Sequence, residues 1–242
     1  MRLGSIPKFP VRRFHGRCRP TLITSAARSG PCRPISHNAL PRCHAAWLAM
    51  TNVVSEQSLP DLLEPGLPLI FCGINPGIRA ASTGHHFAGR GNRFWRVMHL
   101  AGFTAEQIRP EDDRTVLRYG CGLTTVVPRP TAQAAELSRL EIELAGDAFR
   151  RKIEQYAPRH IAFLGKMALA AISGTRNIEW GPQTNRFGGA HAWVLPNPSG
   201  LNRAFDLDAL VAAYREVRIA VASTQRDAAA ARGATTGGRD RL

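Results

Sequence analysis

No apolar run in this chain approaches the roughly 20 residues that a membrane-spanning helix needs, although 44% of its 242 residues are hydrophobic. Cysteine is scarce. The five present (Cys18, Cys32, Cys43, Cys72 and Cys121) form no C-x-x-C pair and have no histidine at zinc-ligand spacing, so they read as reduced thiols of an intracellular protein. Acids are scarce too: 18 Asp and Glu stand against 32 Lys and Arg, a formal net charge of +14. Residues 1–49 hold no acid at all beside Lys8 and eight arginines. Such a balance favours polyanions, nucleic acid first, although a solvated basic tail gives the same number. The sequence has no P-loop, no H-E-x-x-H and no G-x-S-x-G. G-I-N-P-G at 73–77 is not G-x-G-x-x-G, and no acid ends a second strand about 20 residues later, which argues against a dinucleotide site. His85 and His86 are adjacent rather than four apart, a poor zinc pair. Clustered carboxylates for phosphohydrolase chemistry are missing as well: Asp61 and Glu64 precede the first strand and Asp206 follows the last turn.

What is present organises the chain into three parts: a basic extension over 1–60, a folded domain over 61–222 and a tail over 223–242. Residues 1–49 are rich in Arg, Pro and Ser without periodicity and are expected to be disordered. Three origins for them stay open: an over-read segment upstream of a true start at Met50, a nonspecific basic tail, or a targeting segment. Their proline content argues against the amphipathic helix of a transit peptide. The end, from about Ser223, is low-complexity and is also expected to be disordered.

In the middle, buried strands are predicted over 69–73 (L-I-F-C-G), 122–127, 160–165 and 192–195. Helices are predicted over 92–101, with a stripe of Phe94, Trp95, Met98 and Ala101, and over 136–156, 166–172 and 205–222, the last capped by Asp206. Short apolar strands alternating with helices imply an α/β fold, a parallel sheet covered on both faces, with ligands beyond the carboxyl ends of the strands.

Two of those strand ends run into unusual turns, G-I-N-P-G at 73–77 and P-N-P-S-G-L-N-R at 196–203. Between them lies a Gly-rich stretch, S-T-G-H-H-F-A-G-R-G-N-R-F-W at 82–95. Asn75 is the polar residue at the mouth of the first strand. Its amide oxygen can orient a water but cannot take a full proton at neutral pH; before Pro76 it is equally an ordinary turn former. Phe87 either plugs the core or offers a flat face to a base. Leu201, between glycine and polar or cationic residues, is either a buried loop leucine or a wedge that opens a duplex. Lys166, at a helix start without a Gly-rich lead, reads as a surface residue.

These three motifs, in this order, resemble the mismatch-specific uracil-DNA glycosylase family, which includes the thymine-DNA glycosylases. C-G-L-T at 121–124, R-P-T at 129–131, L-G-K at 164–166 and W-V-L-P at 193–196 match too, so the similarity covers about 68–220. The resemblance implies a three-layer α/β/α sandwich on a short, mainly parallel sheet. It also implies a monofunctional enzyme that flips uracil, thymine or ethenocytosine from G mispairs in double-stranded DNA and hydrolyses the N-glycosidic bond. Water is the one co-reactant, so neither metal nor organic cofactor is implied. The partner is double-stranded DNA with U·G or T·G mispairs, not a membrane, and the protein is expected to act as a monomer. Its place would be the cytoplasm, with the bacterial nucleoid, or a eukaryotic nucleus.

Residue by residue, the resemblance makes Asn75 the catalytic group and Phe87 the stacking partner of the flipped pyrimidine. Main chain around Ile74 and Phe87 would read the base edge, and Asn197 would lie near base and sugar. Ser199 would lie near a phosphate, while Gly200, Leu201, Asn202 and Arg203 would fill the gap and meet the opposite guanine. Ala80 stands where the bacterial mismatch enzymes carry serine, and G-H-H-F at 84–87 leans toward the thymine branch, with His86 either polarising the base or serving as a loop histidine. The rival reading is a non-catalytic module on the same fold that binds mismatched or abasic DNA.

Overall fold

The protein is described here from a computed structural model, in which residues 59–236 are the described ones. The extension expected over 1–60 thus lies outside the described residues except for its last two, as do 237–242.

Five strands form one sheet: β1 (Leu69–Gly73), β2 (Cys121–Thr125), β3 (His160–Leu164), β4 (Gly181–Phe187) and β5 (Ala190–Leu195), in spatial order β2-β1-β3-β5-β4. All neighbours are parallel except β4 and β5, which form an antiparallel hairpin. The helices are α1 (Ile78–Thr83), α2 (Phe94–Leu100), α3 (Arg139–Tyr156), α4 (Lys166–Ser173) and α5 (Leu207–Thr236), with a 3₁₀ segment at Pro110–Tyr119.

The strands are apolar on both sides because both faces are covered, and their alternation sorts side chains into two cores. Leu69 and Phe71 of β1, Ala162 and Leu164 of β3, and Trp193 and Leu195 of β5 face the α2 and α5 layer. Ile70 and Cys72, Ile161 and Phe163, and Ala192 and Val194 face the α3 and α4 layer. This is the expected three-layer α/β/α sandwich. Phe71, fully buried, sits in an aromatic nest: Phe94 and Phe103 meet it edge-on at 5.4 Å and Tyr214 stacks on it at 5.8 Å. Truncating such a ring costs about 3–5 kcal/mol. The Tyr214 hydroxyl donates to the carbonyl of Pro196 at 3.3 Å, which ties α5 to the turn that follows β5.

Helix ends follow their capping chemistry. Ser138 accepts from the Glu141 amide at the start of α3, and Ala157 ends it in the left-handed conformation. Asp206 accepts from the Ala209 amide at 2.8 Å, as expected. One expectation is corrected here: α5 does not stop near 222 but runs to Thr236. The segment A-A-A-A-R, read as low complexity, is built from the strongest helix former and simply propagates a helix already nucleated by packing.

At the amino ends of the strands, His160 of β3 pairs in register with His191 of β5, and their rings stack at 5.1 Å. The His160 Nε2 meets Thr224 Oγ1 at 3.1 Å, and its Nδ1 is buried without a partner. Burial first, then the positive surroundings of His191, Arg186 and Arg159, push His160 from an ordinary 6.5 down to about 4. Below the ordinary value the unfolded chain binds a proton that folded His160 refuses, so stability is full above about 6.5 and falls as the pH drops toward 4. His86, lowered mainly by burial, adds in the same direction. The melting temperature is therefore expected to fall across that window, and less steeply in His160→Gln. A melting temperature independent of pH there contradicts this assignment.

Candidate active site

The carboxyl ends of β1 and β5 open onto one cleft of about 590 Å³. Its wall includes Ile74, Asn75, Ala80, His86, Phe87, Asn197, Ser199, Gly200 and Leu201, so nine of the sequence-predicted positions converge on it. Asn202 and Arg203 lie just outside the wall, on the same turn as Leu201. Among the described residues, the wall carries no Asp, Glu or Lys, while Arg79 and Arg90 stand exposed on it.

Asn75 follows β1 directly and is half-buried. Its Nδ2 donates toward the carbonyls of Pro76 (3.1 Å) and Arg129 (2.9 Å) and toward Thr131 Oγ1 (2.7 Å). Thr131 Oγ1 spends its own proton on the Gln133 carbonyl at 2.9 Å and is therefore an acceptor for Asn75. Three acceptors around one amide edge fix its orientation, because a flipped amide would set oxygen against oxygen. Among the described residues nothing donates to Asn75 Oδ1, and it is not sealed from solvent. The loop after β2 is drawn to this spot by main-chain bonds that prolong the β1–β2 pairing: Val126 N–H to Gly73, Val127 N–H to Ile74 and Thr131 N–H to Pro76. Sequence reading gave R-P-T at 129–131 no role; in the fold it supplies two of the three anchors of Asn75.

Phe87 is held at φ 56°, a conformation rare for an aromatic residue. What enforces it is on both sides. The Phe87 ring stacks on Phe94 at 3.8 Å, leaving it half-buried at the cleft. The preceding residue, His86, is 3% exposed and held by three hydrogen bonds to main chain, indole and acid. Its amide donates to Asp113 Oδ2 at 2.8 Å, its carbonyl accepts from the Trp95 indole at 3.0 Å, and its Nε2 lies 2.8 Å from the Pro60 carbonyl. With its pKa lowered by burial, the ring is neutral and donates from Nε2 to Pro60. His86 thereby fixes the backbone that presents Phe87. Asp113, buried within an acidic run that looks like ordinary surface in the sequence, has no signal that would have found it.

The turn after β5 is just as constrained. Asn197 Oδ1 accepts from the Ser199 amide (2.9 Å), and its carbonyl accepts from Asn202 Nδ2 (2.9 Å). Ser199 Oγ accepts from the Leu201 amide (3.3 Å). Gly200 packs against the Gly-rich loop so closely that a Cβ would sit 2.7 Å from the Gly91 carbonyl oxygen, which any side chain would violate. Leu201, at the tip, is 73% exposed. Single leucines elsewhere are as exposed, Leu144 at 74% among them, so what sets Leu201 apart is its place on a constrained turn beside the cleft.

Arg93, missed in the sequence although it lies inside G-N-R-F-W, holds this turn from the other loop. Its guanidinium donates to four carbonyls: Pro198 (3.3 Å), Ser199 (3.0 Å), Asn202 (2.8 Å) and Phe205 (2.7 Å). Its own amide bonds Pro198 as well. No single motif announces such a strut, because its partners are main-chain atoms more than 100 residues away.

Asp61, the acid nearest the cleft in sequence, is occupied elsewhere: it accepts from Thr124 Oγ1 and pairs with Lys152, both at 2.7 Å. Among the described residues no cluster of three His, Cys, Asp or Glu is placed to hold a metal ion. The arrangement offers a water-orienting amide oxygen, a flat aromatic wall, cations at the mouth and an apolar projection beside it.

A solution NMR structure of a candidate uracil DNA glycosylase from Methanosarcina acetivorans is similar to this chain, with 20% identity and a TM-score of 0.44, over 67% of this chain and 98% of that one. A family model described as the uracil DNA glycosylase superfamily matches residues 60–218, which include every residue named at the cleft. The chain belongs to the uracil DNA glycosylase superfamily.

Proposed function

We propose that the protein is a monofunctional, mismatch-directed DNA glycosylase that flips uracil from G mispairs in double-stranded DNA and hydrolyses its N-glycosidic bond. The observation that carries this reading is the fixed amide of Asn75, whose donor edge is anchored and whose Oδ1 is left for a water. The C1′–N1 bond breaks with its electron pair leaving on uracil N1, and an oxocarbenium-like sugar forms. The water held by Asn75 attacks C1′ and loses its proton to solvent. Uracil N1 is an acceptable leaving group, so positioning and charge stabilisation replace a strong base. Consistent with this, no carboxylate among the described residues lines the cleft.

Phe87 stacks on the extruded pyrimidine, main chain near Ile74 and Phe87 reads its edge, and the free amide group of Asn197 faces base and sugar. Ser199 approaches a phosphate, and Leu201, with Gly200, Asn202 and Arg203, occupies the gap in the duplex. Extrusion costs a few kcal/mol and least at a mispair, which favours mismatched substrates. Ala80, a small residue buried at the cleft wall, would be the position that admits the C5-methyl of thymine, so T·G pairs are expected as substrates too. A lyase step needs an amine nucleophile; among the described residues no lysine lines the wall, which fits hydrolysis alone.

Labelled duplexes carrying single U·G, T·G, U·A or ethenocytosine·G pairs, treated with alkali after incubation, test this. Cleavage at U·G above U·A, with a slower T·G reaction, is expected. Tight mismatch binding with no cleavage in any lane overturns the enzymatic reading in favour of a binding module.

A further inference from the structure

The β4–β5 hairpin carries an aromatic residue that the cleft does not use. Because β4 runs antiparallel to β5, with Gly181 opposite Val194, Trp180 emerges at the same strand-end edge as the cleft. Its indole is 42% exposed. It meets Phe205 edge-on at 5.2 Å, and Phe205 is the residue whose carbonyl Arg93 holds at the foot of the Leu201 turn. On its ring lies the ammonium of Lys166, 4.7 Å from the centroid. Lys166 follows Gly165, whose neighbour across the edge is Asn197 of the cleft. Among the described residues no carboxylate pairs with Lys166; the adjacent Glu179 is exposed and forms no ion pair.

We propose that Lys166 and Trp180, braced by Phe205, form a second contact point for the sugar–phosphate backbone of duplex DNA, outside the cleft and beside the Leu201 wedge. This rests on duplex DNA being the partner, as proposed above. An ammonium over an indole face keeps its N–H groups free for an anion while the ring limits where it can go. The half-exposed Trp180 side chain would pack on deoxyribose. Arg79, Arg90 and Arg203 are exposed along the same edge, so a polyanion lying over the cleft continues onto Lys166. Fixing the backbone on both sides of the wedge prevents the duplex from sliding as the base turns out.

The test is equilibrium binding of a labelled duplex containing a stable abasic analogue opposite G, followed by fluorescence anisotropy between 50 and 200 mM salt. Wild type is compared with Lys166→Ala, Trp180→Ala and the charge control Arg151→Ala, on the exposed side of α3. Lys166→Ala is expected to weaken binding about tenfold at low salt and to lower the salt slope by about one. Trp180→Ala is expected to weaken it several-fold, and the double variant to lose little more than Lys166→Ala. Both variants are checked for an unchanged melting temperature. Affinities and slopes equal to wild type, or a loss no larger than that of Arg151→Ala, overturn the inference. Base release from U·G by wild type is scored separately, so failure of this contact and failure of the glycosylase reading are told apart.

Discussion

Asn75→Ala is expected to lower the single-turnover rate of uracil release from a U·G duplex by about 10²–10³, the usual cost of removing one oriented polar group from a reacting centre. Duplex affinity should hardly change, because Asn75 lies outside the residues proposed to contact the backbone. Folding should survive as well: the residue is half-buried, and its three acceptors can turn to water. Asn75→Asp is the more revealing companion. A carboxylate would be the stronger base, yet one of its oxygens would face the carbonyls of Pro76 and Arg129 and the hydroxyl oxygen of Thr131. Repulsion from those acceptors either turns the side chain away or keeps it protonated. No gain over wild type is therefore expected at neutral pH. A variant faster than wild type would contradict the assignment of the anchored edge.

Arg93→Ala should be the second-largest loss. Four carbonyls of the 198–205 turn would lose a charged donor, and hydrogen bonds to charged groups contribute about 1.5–3 kcal/mol each when removed from a buried setting. Here the carbonyls can be partly rehydrated, so about 2–3 kcal/mol is the expected net effect, a fall of roughly 30–160-fold in kcat/KM. The loss should appear in KM more than in kcat, because in the proposed complex the turn meets the duplex rather than the scissile bond. Arg93→Lys should not rescue it, since a point charge cannot serve four diverging carbonyls as a planar fork does. Full rescue by lysine, or a loss confined to kcat, would show that Arg93 acts in another way.

The sandwich was legible where burial left a strong trace. β1, β3 and β5 are continuous apolar runs stopped by Gly or Pro, and the stripe of Phe94, Trp95 and Met98 marks the helix that covers them. β4 was not predicted. It is a polar edge strand, G-P-Q-T-N-R-F, with one face in water, so it lacks both the apolar run and clean alternation. Its turn, Gly188-Gly189, with both residues at positive φ, was the available signal. α1, of six residues, and the 3₁₀ segment are too short to show a period. At the cleft, the residues that touch its space were legible from composition of the turns, and the resemblance ordered them. The residues that hold those turns were not. Arg93 and Asp113 act on main-chain atoms, and a main-chain partner imposes no residue type elsewhere in the sequence; Thr131 meets the Asn75 side chain, but across 56 residues that no local pattern connects.

In the proposed reaction, a water oriented by Asn75 captures C1′ as uracil leaves. The most direct measurement is free uracil, quantified by mass spectrometry after a single turnover on a U·G duplex, beside strand breakage scored with and without alkali. Uracil released in equal amount to alkali-labile sites, with no breakage before alkali and with release abolished on this timescale in Asn75→Ala, is the predicted result. Uracil release undiminished in Asn75→Ala, or none from wild type bound to the same duplex, would contradict it.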